Sequence, residues 1–183
     1  ARILTVLGKE NEQAGDRAWQ SAQKLSDEEY YRGVRLLKLA AVLQFTLPGV
    51  PSVYYGDEAG MQGYGDPFCR AGYPWDKENT ELLDFYKKLG TFRRSSSVFA
   101  SGEFEPIYAN FGDIVYIRRK GKNAVLVAVN RWHEPSKVTV PDEFKAAKPI
   151  FGNKPTDGKI SLPADVFAIL EIQLRQSTKL KNK

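Results

Sequence analysis

The stretch DIVYIRRKGKNAVLVAVN, residues 113–130, decides the fold of the second half of this chain. Two runs rich in β-branched and apolar residues flank the turn sequence Lys120-Gly121-Lys122-Asn123, which is the pattern of a β-hairpin. The second run is apolar at consecutive positions, as is typical of a strand with both faces covered. We therefore predict an antiparallel hairpin whose second strand lies in the interior of a sheet.

The residues around this hairpin favour further strands. Short apolar runs separated by turn residues continue to the end of the chain with no helical pattern among them, namely SKVTV, KPIFGN, GKISL and DVFAILEI. This pattern is typical of an antiparallel β-sandwich. We predict such a sandwich over residues 102–173. Its core is expected to be centred on Val125, Val127, Val129, Phe167 and Ile169.

The first half of the chain has a helical pattern instead. Ser26 and Glu29 form a capping-box sequence directly before an apolar-periodic run, which predicts a helix over residues 30–47. A second amphipathic helix is predicted to begin at Asn79 or Thr80. Its apolar face carries Leu82, Phe85, Leu89 and Phe92, and an i,i+4 ion pair between Asp84 and Lys88 is expected on the opposite face.

The segments between these helices are predicted as strand and loop. VPSVYY, residues 50–55, and the opening ARILTVLG are apolar and strand-like, whereas residues 9–25 and 56–75 are predicted loops. The order helix, strand, loop, helix is the rhythm of a parallel α/β fold. We therefore predict an α/β unit over residues 1–98 and an all-β unit over residues 99–183.

Composition and charge narrow the function classes. The net charge of +5 comes from scattered basic residues, apart from residues 118–122 and 179–183, which we interpret as a solvated hairpin tip and a solvated terminus. This distribution argues against a nucleic-acid partner. No apolar run approaches the roughly 20 residues of a membrane-spanning helix, so no membrane association is expected. Cys69 is the only cysteine, and the compartment is left open between cytoplasm and outside the cell.

The densest group of chemically active side chains lies in GVPSVYYGDEAGMQGYGDPFCR, residues 49–70. Adjacent residues leaving a strand point to opposite sides, so Asp57 and Glu58 are not expected to form the carboxylate pair of a glycosidase. Asp66 and Arg70 carry the carboxylate and guanidinium that can bind vicinal sugar hydroxyls.

Flat aromatic side chains that can stack on sugar rings lie near this pair, at positions 64, 68, 73 and 75. An ion pair internal to the loop, with the aromatic side chains filling the junction between the two halves of the chain, is the alternative interpretation. The residues alone do not decide between the two.

The other reactive residue types predict no site. His133 is the only histidine and has no metal-ligand partner at suitable spacing, so it is expected to be a solvent-facing turn residue. Cys69 has no histidine base nearby in sequence and is expected to be a buried, inert thiol. The residues therefore predict no catalytic group and no metal or cofactor site in this chain.

The stretch TLPGVPSVYYGDEAGMQGYGDPFCRAGYPW, residues 46–75, closely resembles the end of the catalytic barrel in the α-amylase family of glycoside hydrolases (family 13). The resemblance is strongest to bacterial neopullulanases, cyclomaltodextrinases and amylopullulanases. It implies that residues 1–98 are the last part of a (β/α)8 TIM barrel, and that residues 99–183 are the C-terminal β-sandwich.

The resemblance also implies where chemistry would occur. Asp66 and Arg70 match the family's Asp-Pro-x-x-Arg, which contacts sugar at the non-reducing end of the cleft. The three catalytic acids of the family precede Arg2, which matches the arginine after the family's His-Asp-Thr-Pro motif. Ala1 stands where the family usually has proline. The chain is thus expected to be a C-terminal fragment that hydrolyses no glucan by itself.

These expectations describe a parent enzyme that hydrolyses α-glucan oligosaccharides with retention of the anomeric configuration. It would cleave α-1,4 links, or α-1,4 and α-1,6 links. Calcium in the parent is left open. Strand 50–55 and helix 30–47 would lack most of their barrel neighbours, so either self-association through residues 1–98 or partial disorder of these residues is expected. The alternative is a stand-alone carbohydrate-binding or interaction module.

Overall fold

A computed structural model describes residues 1–9 and 15–172, and the chain divides into two compact units, Ala1–Ser95 and Ser96–Lys183. In the first unit the helices are α1 (Ile3–Gly8), α2 (Arg17–Ala22), α3 (Asp27–Thr46) and α4 (Thr80–Ser95). A short 3-10 helix covers Phe68–Arg70. None of the residues described in this unit forms a strand.

The long helix α3 begins with the predicted capping box. The Ser26 hydroxyl accepts a hydrogen bond from the Glu29 backbone N–H, and the Glu29 carboxylate accepts one from the Ser26 N–H. The following helix α4 is capped by the Asn79 side chain, which accepts a hydrogen bond from the Leu82 N–H at 3.0 Å. Its predicted apolar face is buried, as Leu82, Phe85, Leu89 and Phe92 show. Asp84, however, pairs with Lys87 at 3.7 Å rather than with Lys88.

Three predictions for the first unit are wrong. The opening run forms helix α1, whose backbone packs so closely on α3 that a Cβ on Gly33 would lie 2.7 Å from the Leu4 carbonyl oxygen. The predicted loop over residues 9–25 contains helix α2. Residues 50–55 form no strand, and Val50 is 92% exposed rather than buried. A strand needs a neighbour to pair with, and the described residues of this unit supply none.

The second unit begins with helix α5 (Val98–Ser101) and continues with antiparallel strands, as predicted. A five-stranded sheet has the spatial order β1-β2-β3-β7-β5, and β4 pairs with β6 in a second sheet. The strands are β1 (Glu103–Ala109), β2 (Asp113–Lys120), β3 (Asn123–Asn130), β4 (Ser136–Thr139), β5 (Lys148–Phe151), β6 (Lys159–Leu162) and β7 (Val166–Ile172). The described residues 96–172 also include a 3-10 helix at Asp142–Phe144.

The predicted hairpin is present. Strands β2 and β3 pair from Lys120–Asn123 to Asp113–Asn130, and Gly121 occupies the turn at φ +57°. Strand β3 is buried along nearly its whole length because β2 and β7 flank it.

The centre of the β core lies on the other face of β3 from the predicted one. The cluster that joins the two sheets includes Ala124, Leu126 and Ala128 of β3, together with Val138 of β4 and Ile160 of β6. Val125, Val127 and Val129 are also buried, but their side chains point to the opposite face because successive residues of a strand alternate. An all-apolar strand does not reveal which face meets the second sheet.

The basic hairpin tip is only partly solvated. Arg118 is buried, and it donates hydrogen bonds to the carbonyl oxygens of Val98, Gly102 and Glu103. Arg119 forms ion pairs with Glu105 at 2.7 Å and Glu143 at 2.6 Å. The prediction of a solvated basic run is therefore wrong for these two residues, which bind helix α5 and strand β1 to the sheet. In the described residues no helix is long and apolar enough to cross a membrane.

Candidate functional site

Asp66 and Arg70 lie together in the loop that follows residue 56 of the first unit. The guanidinium Nε of Arg70 is 2.6 Å from the Asp66 carboxylate, and the two side chains are 68% and 59% exposed. The short helix at Phe68–Arg70 sets the four-residue spacing that brings the two groups together. The ion pair expected under the alternative interpretation is therefore present. Because both groups remain exposed, they keep hydrogen-bonding capacity for a ligand.

A hollow of about 420 Å³ lies beside Arg70. Its wall combines apolar surface from Tyr64, Pro67 and Phe68 with polar side chains, and the polar members are Gln20, Ser21, Gln23, Lys24, Gln62 and Arg70. Aromatic faces among amide and cationic groups are suited to sugar rings and their hydroxyls. The other two aromatic side chains named from the sequence, Tyr73 and Trp75, pack against each other with ring centroids 4.6 Å apart. They do not line this hollow.

Helix α2 forms one side of this hollow, a contribution that sequence reasoning missed. The Gln20 side chain accepts a hydrogen bond from the Gly65 N–H at 3.1 Å, and Gln62 accepts one from the Leu25 N–H at 2.7 Å. Trp19 also packs edge-on against Tyr64, with centroids 5.3 Å apart. These contacts hold α2 against the loop. In the sequence, the residues of α2 that make these contacts are Trp19 and Gln20 of RAWQSAQK.

Asp57 and Glu58 make contacts with Arg2 and with the loop backbone. Asp57 contacts the Arg2 guanidinium at 3.4 Å, and Glu58 accepts a hydrogen bond from the Gly56 N–H at 2.9 Å. Burial raises the pKa of the Asp57 carboxyl, and the adjacent Arg2 only partly opposes this effect.

Arg2 is the most deeply buried charged side chain near this loop, at 1% exposure. Its guanidinium lies 4.6 Å from the centroids of both the Tyr54 and Tyr55 rings and donates a hydrogen bond to the Tyr55 carbonyl oxygen. Arg2 therefore holds the segment 54–57 against helix α1.

Two further reactive residues were considered in the sequence, His133 and Cys69. His133 is exposed in the second unit, as predicted, and Cys69 is a free, half-buried thiol. Among the residues that the structure describes, no group of three or more histidine, cysteine or acidic side chains is placed to hold a metal ion.

Known proteins resemble this chain in sequence and in structure, although no family model matches it. The amylopullulanase of Thermoanaerobacter thermohydrosulfuricus is 42% identical over 119 residues, which are 65% of this chain and 8% of the relative. The cyclomaltodextrinase of Thermoanaerobacter pseudethanolicus is 43% identical over 101 residues, which are 53% of this chain and 17% of the relative. The chain thus spans less than a fifth of either relative.

Solved structures agree with the sequence matches. The type III pullulan hydrolase from Thermococcus kodakarensis superposes on 82% of this chain with a TM-score of 0.67 at 28% identity, covering 25% of that protein. An α-amylase from Anoxybacillus superposes on 76% of this chain, also with a TM-score of 0.67, at 29% identity and 32% coverage of that protein. The predicted resemblance to the α-amylase family of glycoside hydrolases is confirmed by these relatives and solved structures.

Proposed function

We propose that this chain is part of a retaining α-glucan hydrolase, in which the loop carrying Asp66 and Arg70 binds the sugar chain at one end of the substrate cleft. The observation that carries the proposal is the exposed Asp66–Arg70 pair beside a hollow lined by Tyr64 and Phe68. A carboxylate accepts from sugar hydroxyls and a guanidinium donates to them, while an aromatic ring covers the apolar face of a pyranose.

The proposed substrate is an α-glucan that is cleaved at α-1,4 links. In the alternative version of the proposal, α-1,6 links are cleaved as well. Relatives named amylopullulanase and cyclomaltodextrinase, and a structural neighbour named pullulan hydrolase, support this class. We further propose that the first unit is the last part of a (β/α)8 barrel and that the second is its C-terminal β-sandwich. Solved α-amylase-family structures that match across 76–82% of the chain support the assignment.

The chain by itself is proposed not to hydrolyse glucans. A retaining mechanism needs a nucleophilic carboxylate and an acid/base carboxyl about 5–5.5 Å apart across the scissile bond. In the described part of this loop, the Asp57 carboxylate contacts the buried Arg2 guanidinium, and the Glu58 carboxylate accepts a hydrogen bond from a backbone N–H. The catalytic acids are therefore proposed to come from other residues of the complete enzyme, and calcium there remains open.

The experiment compares substrate lengths in the complete enzyme. Asp66→Ala and Arg70→Ala should weaken binding of long maltooligosaccharides by about tenfold or more, because a hydrogen bond to a charged group contributes about 1.5–3 kcal/mol. The shortest substrate should be affected less. Lys87→Ala is the matched control, since Lys87 is an equally exposed partner in an ion pair of the same unit. Equal losses at every chain length would contradict the proposal.

The second candidate function is a stand-alone carbohydrate-binding or interaction module. It is separated from the first by assaying the chain alone for binding and for release of reducing ends, and by testing whether adding the chain restores activity to a barrel that lacks it. Restored hydrolysis supports the enzyme part. Glucan binding without any such complementation favours the module.

A further inference from the structure

Three neighbouring side chains of the second unit form an exposed aromatic corner, defined here as Phe111, Trp132 and His133. The Phe111 and Trp132 rings lie 5.1 Å apart between centroids at an angle of 82°, and the Trp132 and His133 rings lie 4.2 Å apart at 38°. Phe111 is 86% exposed. Phe111 lies 21 positions before Trp132 in the sequence, so only folding brings it to the other two rings.

The loop that carries Phe111 is held by its own hydrogen bonds. The Asn110 side chain accepts hydrogen bonds from the backbone N–H groups of Gly112 at 2.9 Å and Asp113 at 2.6 Å. The Asn110 N–H in turn donates to the Asp113 carbonyl oxygen at 2.9 Å. This closed turn fixes the direction in which Phe111 leaves the sheet.

The loop that carries Trp132 is fastened to the first one and to the core. The Arg131 N–H donates to the Gly112 carbonyl oxygen at 3.0 Å, and the Trp132 N–H donates to the side chain of fully buried Asn130 at 2.7 Å. The two loops approach so closely that a Cβ on Gly112 would lie 2.6 Å from the Trp132 Cβ. The corner is therefore preorganised, which lowers the entropic cost of binding a ligand there.

The chemistry around the rings favours a neutral, hydroxyl-rich ligand. Arg131 and Glu134, which directly precede and follow Trp132 and His133 in the sequence, are both exposed, so the residues next to the corner carry one charge of each sign. This balanced charge does not suit a polyanion such as a nucleic acid, which needs an excess of cations. The corner is also far smaller than the roughly 800 Å² per partner of a stable protein interface, so a second copy of the chain is not the occupant.

We propose that Phe111, Trp132 and His133 form a binding site for an α-glucan chain, in which pyranose rings stack on Phe111 and Trp132. The ligand class rests on the proposed function, whereas the existence of a stacking site rests on the corner itself. This site belongs to the second unit and uses none of the residues of the Asp66–Arg70 loop.

The experiment measures retardation of the whole chain in native gels that contain amylopectin or pullulan, relative to gels without polysaccharide. The unaltered chain should be retarded, and Trp132→Ala and Phe111→Ala should each weaken the apparent affinity about fivefold or more. Gly112→Ala should weaken it as well, because its methyl group displaces Trp132. Phe104→Ala is the matched control, since it removes another exposed aromatic side chain of the same unit.

The outcomes separate this proposal from the proposed function. Retardation that survives Phe111→Ala and Trp132→Ala but is lost in Arg70→Ala overturns the aromatic site and leaves the proposed function standing. Retardation lost in Phe111→Ala and kept in Arg70→Ala supports the site. Equal retardation by dextran, whose backbone is α-1,6-linked, would overturn the assignment to an α-1,4 glucan. Circular dichroism of each variant shows that it is folded, and Phe111→Ala is the most secure because this side chain is almost free of packing.

Discussion

Replacing Asn130 with aspartate should destabilise the second unit in a pH-dependent way. Asn130 is fully buried at the end of β3, and its Nδ2 group donates to the carbonyl oxygens of Glu134 at 2.9 Å, Leu162 at 3.2 Å and Pro163 at 3.0 Å. Its Oδ1 accepts from the Trp132 N–H. Aspartate has almost the same shape and keeps the acceptor, but an ionised carboxylate cannot donate to the three carbonyl groups.

The magnitude follows from these contacts. A buried polar group that loses its partner costs about 1–3 kcal/mol. Glu134 and Pro163 are exposed residues whose carbonyl groups can turn to water, whereas the Leu162 carbonyl is buried and cannot. The ionised carboxylate would also lie against carbonyl oxygens, which adds to the cost of the unpaired Leu162 carbonyl. We therefore expect Asn130→Asp to lower the free energy of unfolding by about 3–5 kcal/mol at pH 7.

The pH dependence gives a sharper test. Burial raises the folded-state pKa of the introduced carboxyl above its unfolded value of about 3.9. The ionisation penalty is therefore absent below about pH 4 and grows as the pH rises through the folded-state pKa. Urea unfolding followed by circular dichroism at pH 3.5 and pH 7 should show a loss at least about 1 kcal/mol smaller at pH 3.5, relative to the unaltered chain. Asn153→Asp, in an exposed loop, is the control. A loss below about 1 kcal/mol at pH 7, or one equal at both pH values, would refute the reasoning.

Four further outcomes are expected. Leu89→Ala, at a fully buried position of α4, should lower the free energy of unfolding of the first unit by about 2–5 kcal/mol in urea titrations. Ser26→Ala should lower it by about 1 kcal/mol, and restoring the cap with Ser26→Asp should recover most of this loss. Arg70→Ala should lower the free energy of unfolding of the first unit by at most about 1 kcal/mol in urea titrations because the ion pair is exposed, so a larger loss would argue for a structural role. Light scattering should detect self-association that weakens in Val50→Ser, since this apolar side chain is almost fully exposed; a monomer at all concentrations would contradict it.

Local patterns predicted the elements whose stabilising contacts lie within a short stretch of chain. The capping box at Ser26 and Glu29, the apolar face of α4 and the turn at Gly121 each depend on neighbouring residues, and each is present. The pair Asp66 and Arg70 is likewise local, because one turn of 3-10 helix is enough to bring the two groups into contact.

Patterns that depend on distant partners were misleading. ARILTVLG and VPSVYY have the same apolar character, yet the first forms helix α1 against α3, whereas the second forms no strand and is largely exposed. A short apolar run contains no information about its partner, and its conformation is decided by the backbone that pairs or packs with it. The same limit hid the contribution of helix α2 to the hollow beside Arg70.

The sequence by itself determined the resemblance to the α-amylase family, the antiparallel character of the second half, the main helices, and the local contact between Asp66 and Arg70. These features are encoded in motifs and in periodicities that a chain carries whatever its partners. Only the tertiary structure decided which face of β3 meets the second sheet, that Arg118 is buried, and that Phe111 stands beside Trp132. Each of these depends on contacts between residues far apart in the chain, which exist only when the backbone has closed on itself.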